Sequence, residues 1–315
     1  MTTARLRIDR ASPHVTVQDA GRPGLMRFGV TRSGPMDPLA FAAANLSLGN
    51  PREAPGLEIP VSGLALTCLA GVLRIAVTGG GFGVAVNGHA VPAWCTATLE
   101  AGTSLQIRPG LWGSWAYLAL AGQLRADRWL GSASTHGPLG LGGGRLRQGD
   151  ILMVDDPRAG ESITCPITCP VFARPRRDYR VVIGPQDRFF DAATIAQLSH
   201  QSFRLSDAYD RMGVRLSGPL LKPTADLSMP SEGIVRGSIQ VSGDGLATVL
   251  LVDHQTTGGY PKIATMISPD VDRFVQLRSR ATIRFSVVSA DEAIGLTRTA
   301  RQAQARYLDG LRRSD

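Results

Sequence analysis

The chain has 315 residues, room for one large domain or two ordinary ones with cores of their own, and its 43% hydrophobic and 19% charged composition is that of a globular protein. No apolar run reaches the roughly eighteen residues of a membrane-spanning helix, and residues 1–10 lack the apolar stretch of a secretory signal, so a cytoplasmic chain without a membrane is expected. The net charge of +8 is carried by scattered arginines, with Lys222 and Lys262 the only lysines and no aromatic platform beside them, which argues against nucleic acid as a partner.

In chain order, short apolar runs lie between Gly and Pro turn signals, so the fold is expected to be mainly β with a few helices. The first helix is predicted over 37–48, with Asp37 as N-cap, Pro38 at the first helical position and Gly49 as the stop. Strands are predicted over 72–77 and 82–86, with Gly79-Gly80-Gly81 read as a turn between them. Asn87-Gly88 fits a tight hairpin, because both central positions of that turn need positive φ. A strand over 115–120, a turn at Gly142-Gly143-Gly144, and Gly149-Asp150 leading into a strand at 151–154 complete the first half. Pro, Asp and Arg concentrate over 155–177, which reads as a junction. Beyond it come strands over 180–183, 246–252 and 281–288, a helix from 187 or 189 to 200, and a C-terminal helix over 290–311. The expected organisation is a β-rich half over 1–160, a second over 175–290 with the main site candidates, and a helical tail over 291–315. An internal echo supports two related halves: Gly34-Pro35-Met36-Asp37 and Gly184-Pro185-Gln186-Asp187 each precede a helix, with Ser62-Gly63 and Ser217-Gly218 following. Chance recurrence of Gly-Pro turns is the alternative.

Many chemistries have no motif here. The chain has no phosphate-binding loop, no dinucleotide fingerprint, no nucleophile elbow, and no Met-Lys-Met setting for covalent biotin. His14, His89, His136, His200 and His254 form no metal-ligand spacing, and Cys165 and Cys169 lack a second pair, so no metal site is expected. Cys68 and Cys95 lie in strand-like segments as small core residues.

Three polar segments stand out. The loop Asp253-His254-Gln255-Thr256-Thr257-Gly258-Gly259-Tyr260-Pro261-Lys262 lies between two apolar runs. Its glycines admit close backbone approach, Gln255, Thr256 and Thr257 suit a planar amide or carboxylate, and Lys262 can neutralise developing negative charge. It reads equally as a hairpin turn whose hydroxyls satisfy its own backbone. Asp210-Arg211 offers two-pronged recognition or a plain surface ion pair. Glu232, followed by Gly237 and Gln240, is a general-base candidate or an ordinary turn acid. In the first half, Arg22 is a weaker candidate, read first as a loop anchor, and Asp37 already caps a helix.

Taken in order, Val17-Gln18-Asp19-Ala20-Gly21-Arg22-Pro23-Gly24, Ser33-Gly34-Pro35-Met36-Asp37-Pro38, Asp210-Arg211-Met212-Gly213, Ser231-Glu232-Gly233 and Gln255 to Lys262 resemble the biotin-dependent carboxyltransferase family, subdomains A and B. The pattern departs at Leu25-Met26-Arg27 and at His254, where the family has Arg. The resemblance implies two cyclophilin-like β-barrel units. It also implies one of three roles. Free-standing members look like the C subunit of an ATP-dependent 5-oxoprolinase, which with the A and B subunits opens 5-oxo-L-proline to L-glutamate. Fused members form the carboxyltransferase part of a urea carboxylase, with biotin on a partner chain. A third role is regulatory binding of a kinase-inhibitor-like partner. Under the first, the complex uses ATP, the substrate is a small lactam, and this chain holds no covalent cofactor. The resemblance implies Glu232 and Lys262 as catalytic residues. It gives Arg211, Asp210, Gln240, Gln255, Thr256, Thr257, Gly258, Gly259 and Tyr260 to substrate binding.

Overall fold

The computed structural model describes residues 2–160, 164–224 and 229–312. They form two units. The first comprises Met1–Arg22, Ser33–Arg174 and Gln304–Asp315, and the second Pro23–Arg32 and Pro175–Ala303. Two boundaries differ from those expected. Residues 23–32 belong to the second unit although they lie in the first half of the sequence. The tail is divided, since the helix Ala290–Leu311 begins in the second unit and ends in the first.

The first unit is built on an eleven-stranded sheet. Its opening strand, Thr3–Ala11, shows how the sequence makes it: Ala4, Leu6 and Ile8 are fully buried while Arg5 and Arg7 between them are exposed, the two-residue period of a strand with one wet face. It pairs antiparallel with Leu64–Ala70 on one side and Ile151–Asp155 on the other. Asp37 caps the helix Pro38–Leu46, its carboxylate accepting from the Ala40 N–H at 3.0 Å. Asn87 and Gly88 make the hairpin with φ of 48° and 80°.

Gly79-Gly80-Gly81 is not a turn. It lies inside one continuous strand, Val72–Val86, paired from Ile75 onward with the longer Ser104–Leu120 and bulged at the glycines. The two backbones approach too closely there for side chains. A Cβ on Gly80 would stand 2.6 Å from the Gly113 Cα, and one on Gly81 would stand 2.4 Å from the Trp112 Nε1. Glycine here allows contact between strands.

The second unit is a closed seven-strand barrel. Its strands run in the order Asp178–Ile183, Lys262–Met266, Ser238–Val241, Ala247–Leu250, Gly213–Ser217, Ser202–Tyr209 and Thr282–Val287. Neighbours are antiparallel except at the seam, where Thr282–Val287 runs parallel to Asp178–Ile183. Alternate residues fill the interior, among them Tyr179, Val181, Phe203, Ile239, Val249, Ile263 and Phe285, all 1% exposed or less. The helix Ala192–His200 starts at Asp191, which caps the Thr194 N–H, and a single 3-10 turn occupies Asp187–Phe189. A further short helix, Ser268–Phe274, has no counterpart among the elements expected from the sequence. It is tied to the barrel by Asp270, fully buried, which accepts from the Arg180 guanidinium at 2.6 and 2.9 Å.

Candidate functional site

Lys262 is the first residue of a barrel strand. The pairing with Ser238–Val241 skips a residue, matching Ile239 to Ala264 but Gln240 to Lys262. That bulge breaks the alternation, so that Lys262, 3% exposed, and Ile263 beside it are both buried. The Lys262 Nζ has no hydrogen-bond partner among the described residues, and the nearest carboxylate oxygen, Glu232 Oε2, stands 3.7 Å away. Burying an ammonium with its donors unmet costs several kcal/mol. A barrel that tolerates this has an oxygen-seeking cation at its end.

Glu232 is presented by a two-stranded ribbon, Glu232–Gly233 paired with Thr257–Gly258. Its side chain is 42% exposed, so the carboxylate reaches both the buried ammonium and solvent. Its Oε2 accepts from the Gln186 Nε2 at 2.6 Å. Gly258 lies against the Gln240 amide, where a Cβ would meet the Nε2 at 2.7 Å and that side chain would have to shift. That amide also donates to the Tyr260 carbonyl at 3.3 Å. Glu232, Gln240, Gly258 and Lys262 are therefore brought together, with Gln186 among them.

The rest of the loop frames this cluster. Thr256 receives the Ile234 N–H on its carbonyl at 3.2 Å, while Gln255 and Thr257 are exposed, Gly259 is half-buried and Tyr260 is 49% exposed. The hydroxyls do not satisfy the loop's own backbone; the Thr257–Gly258 ladder and the Thr256 carbonyl do that. His254 is 5% exposed, with Nδ1 2.5 Å from the Gln255 carbonyl. Burial holds its pKa below the ordinary 6.5, against the opposing pull of the Gln255 carbonyl and Asp253. It is neutral at pH 7.

The structure corrects the expected Asp210–Arg211 pair. Arg211 turns to Asp253, with Nε to Oδ2 at 2.8 Å and Nη2 to Oδ1 at 3.3 Å, the two side chains 11% and 1% exposed. A guanidinium paired with a buried carboxylate is a strut of the loop's base. Asp210 accepts instead from the Met212 and Gly213 N–H groups at 2.8 and 3.2 Å and shapes its own turn.

In the first unit, Arg22 is an anchor. It is 3% exposed, donates to the Ser33 Oγ at 3.0 Å and to the Ser134 carbonyl, and lies 4.9 Å over the Trp129 ring. Asp19 beside it accepts from Ser132, Ser134 and the Gly21 and Ala133 N–H groups. Burial would raise its pKa, and these bonds outweigh burial and lower it. The Cys95 thiol is pushed up to about 12 by burial and is inert. Among the described residues no cluster of His, Cys, Asp or Glu could hold a metal ion, and no helix is long and apolar enough to cross a membrane.

Sequence reasoning left two participants without a role. Gln186 is visible in the sequence only as a member of the Gly-Pro echo. Asp253 reads there as part of the loop, and its pairing with Arg211 spans 42 residues.

Residues 28–287 match the family described as "Carboxyltransferase domain, subdomain A and B". The C subunit of the Escherichia coli K12 5-oxoprolinase is 34% identical over 309 residues, covering 97% of each chain. That of Haemophilus influenzae is 34% identical over 304 residues, 95% of this chain and 94% of its own. The urea amidolyase of Saccharomyces cerevisiae is 28% identical over 328 residues, 96% of this chain but 18% of that protein. Among solved structures, TTHA0988 superposes with a TM-score of 0.80 at 31% identity over 90% of this chain, which spans 55% of that one. The Kluyveromyces lactis urea amidolyase superposes with a TM-score of 0.87 at 26% identity, over 99% of this chain and 20% of its own.

Proposed function

This chain belongs to the carboxyltransferase-domain family, subdomains A and B, and from that premise we propose that it serves as the C subunit of an ATP-dependent 5-oxoprolinase, acting with the A and B subunits to open 5-oxo-L-proline to L-glutamate. The observation that carries this reading is the match to a protein of that name, 34% identical over 309 residues, against 28% for the urea amidolyase over 328.

The cluster around Lys262 suits the chemistry. Opening a lactam adds water across its C–N bond: the hydroxyl goes to the carbonyl carbon and a proton goes to the ring nitrogen. Negative charge builds on the carbonyl oxygen, and the Lys262 ammonium, whose donors have no other partner among the described residues, is the group to meet it. Glu232, reaching both that ammonium and solvent, takes the proton from water and returns it to the leaving nitrogen. Gln255, Thr256, Thr257 and Tyr260, with the backbone of Gly258 and Gly259, orient the amide plane, and Gln240 braces the loop through its bond to the Tyr260 carbonyl. ATP hydrolysis by the complex drives the reaction.

The test is ATP-dependent glutamate release from 5-oxoproline by the chain co-expressed with candidate A and B partners. Release that depends on this chain supports the reading. An assembled complex without turnover overturns it and turns attention to the second reading, a carboxyltransferase component of a biotin-dependent urea or amide carboxylase with biotin on a partner chain. That reading is favoured by the superposition on Kluyveromyces lactis urea amidolyase over 99% of this chain.

A further inference from the structure

Gln186 is 2% exposed, just beyond the end of the strand Asp178–Ile183. Its side-chain amide is held at both ends by partners that leave no choice of orientation. Oε1 accepts from the Lys262 main-chain N–H at 2.9 Å, and that group can only donate. Nε2 therefore faces Glu232 Oε2, at 2.6 Å. The main chains are tied as well, the Gln186 N–H donating to the Lys262 carbonyl at 3.2 Å. A flipped amide would set NH₂ against N–H and carbonyl against carboxylate, repulsive at both ends.

A carboxylate and an ammonium 3.7 Å apart ordinarily close to a charge-assisted bond of about 2.7–2.9 Å. We infer that Gln186 is a positioning residue that holds the Glu232 carboxylate off Lys262, so that the ammonium keeps its donors for the substrate. Without that restraint Glu232 closes onto Lys262 and each group occupies the other. The site then has neither a free cation nor a free base.

This inference rests on the 5-oxoprolinase reading for its kinetic consequence but not for its structural one. Gln186→Leu keeps the volume and removes both side-chain bonds. In the crystal structure of the isolated variant chain, the Lys262 Nζ to Glu232 Oε distance is expected to fall below about 3 Å. A distance that stays near 3.7 Å overturns the inference whether or not the complex turns over 5-oxoproline. In the assembled complex, Gln186→Leu is expected to lower kcat by roughly 10- to 100-fold, the factor carried by a hydrogen bond to a charged group. In a Glu232→Gln background it should add nothing further, since the carboxylate it restrains is gone. Additive losses in the double variant point to a merely structural role and refute positioning. An inactive wild-type complex refutes the 5-oxoprolinase reading and leaves the crystallographic result to decide the role of Gln186.

Discussion

Replacing Arg211 by methionine keeps most of its aliphatic stem, removes the guanidinium, and leaves Asp253, 1% exposed, as a buried carboxylate without its ion pair. Breaking a buried pair on one side costs about 3–5 kcal/mol, because the remaining charge has lost its compensation. At roughly 4 °C per kcal/mol for a domain of this class, the melting temperature should fall by about 10–20 °C. Urea unfolding and calorimetry of the isolated chain measure it. Removing the second partner as well, in Arg211→Met with Asp253→Leu, should restore most of the loss, since apolar replacement of a whole buried pair is often neutral. A single variant within about 1 kcal/mol of the parent would mean a pair no stronger than a surface one and would refute the reasoning. A variant that melts normally but loses turnover would instead return Arg211 to the substrate.

Three further outcomes are expected. His254 has its pKa lowered in the folded chain, so the unfolded chain binds the proton more readily; stability should be full above the ordinary 6.5 and decline as pH falls through and below it. Urea midpoints between pH 7.5 and 5 should show that decline, about this range being where histidine titrates, and His254→Gln should flatten it. Asp19 is lowered as well, so it contributes stability above the unfolded carboxyl value of 3.8 that is lost as pH falls through its folded value. Asp19→Asn should cost about 1–3 kcal/mol at pH 7 and progressively less in acid, read by the same titration. Gly110→Ala would drive a Cβ into the Gly81 carbonyl, and this variant should lose several kcal/mol or fail to fold, as thermal melts and soluble yield will report.

Local signals were legible where one residue type settles the geometry. Asp37-Pro38 marked a helix start and Asn87-Gly88 a hairpin, and the C-terminal stretch over 290–311 is the long helix expected. Gly79-Gly80-Gly81 misled because glycine serves two purposes, reversing a chain and letting two strands touch, and only the facing Trp112 to Ala116 segment shows which applies. The barrel's parallel seam joins segments about a hundred residues apart and leaves no mark in either. The site was legible as a loop and not as a network. Lys262, Glu232 and Gly258 do converge, yet the bulge that buries Lys262, the amide of Gln186 that restrains Glu232, and the diversion of Arg211 to Asp253 are all products of the fold.

The most direct measurement is glutamate release by the assembled complex carrying Lys262→Met, with the melting temperature of the same variant taken alongside. Methionine fills the space of a buried ammonium that no described residue satisfies, so the variant should melt at or above the parent temperature. Its turnover should fall by roughly 100-fold or more, the scale of losing a preorganised donor to a developing oxyanion. Parental turnover from this variant would contradict the account, because the charge at the centre of the site would then have no part in the chemistry.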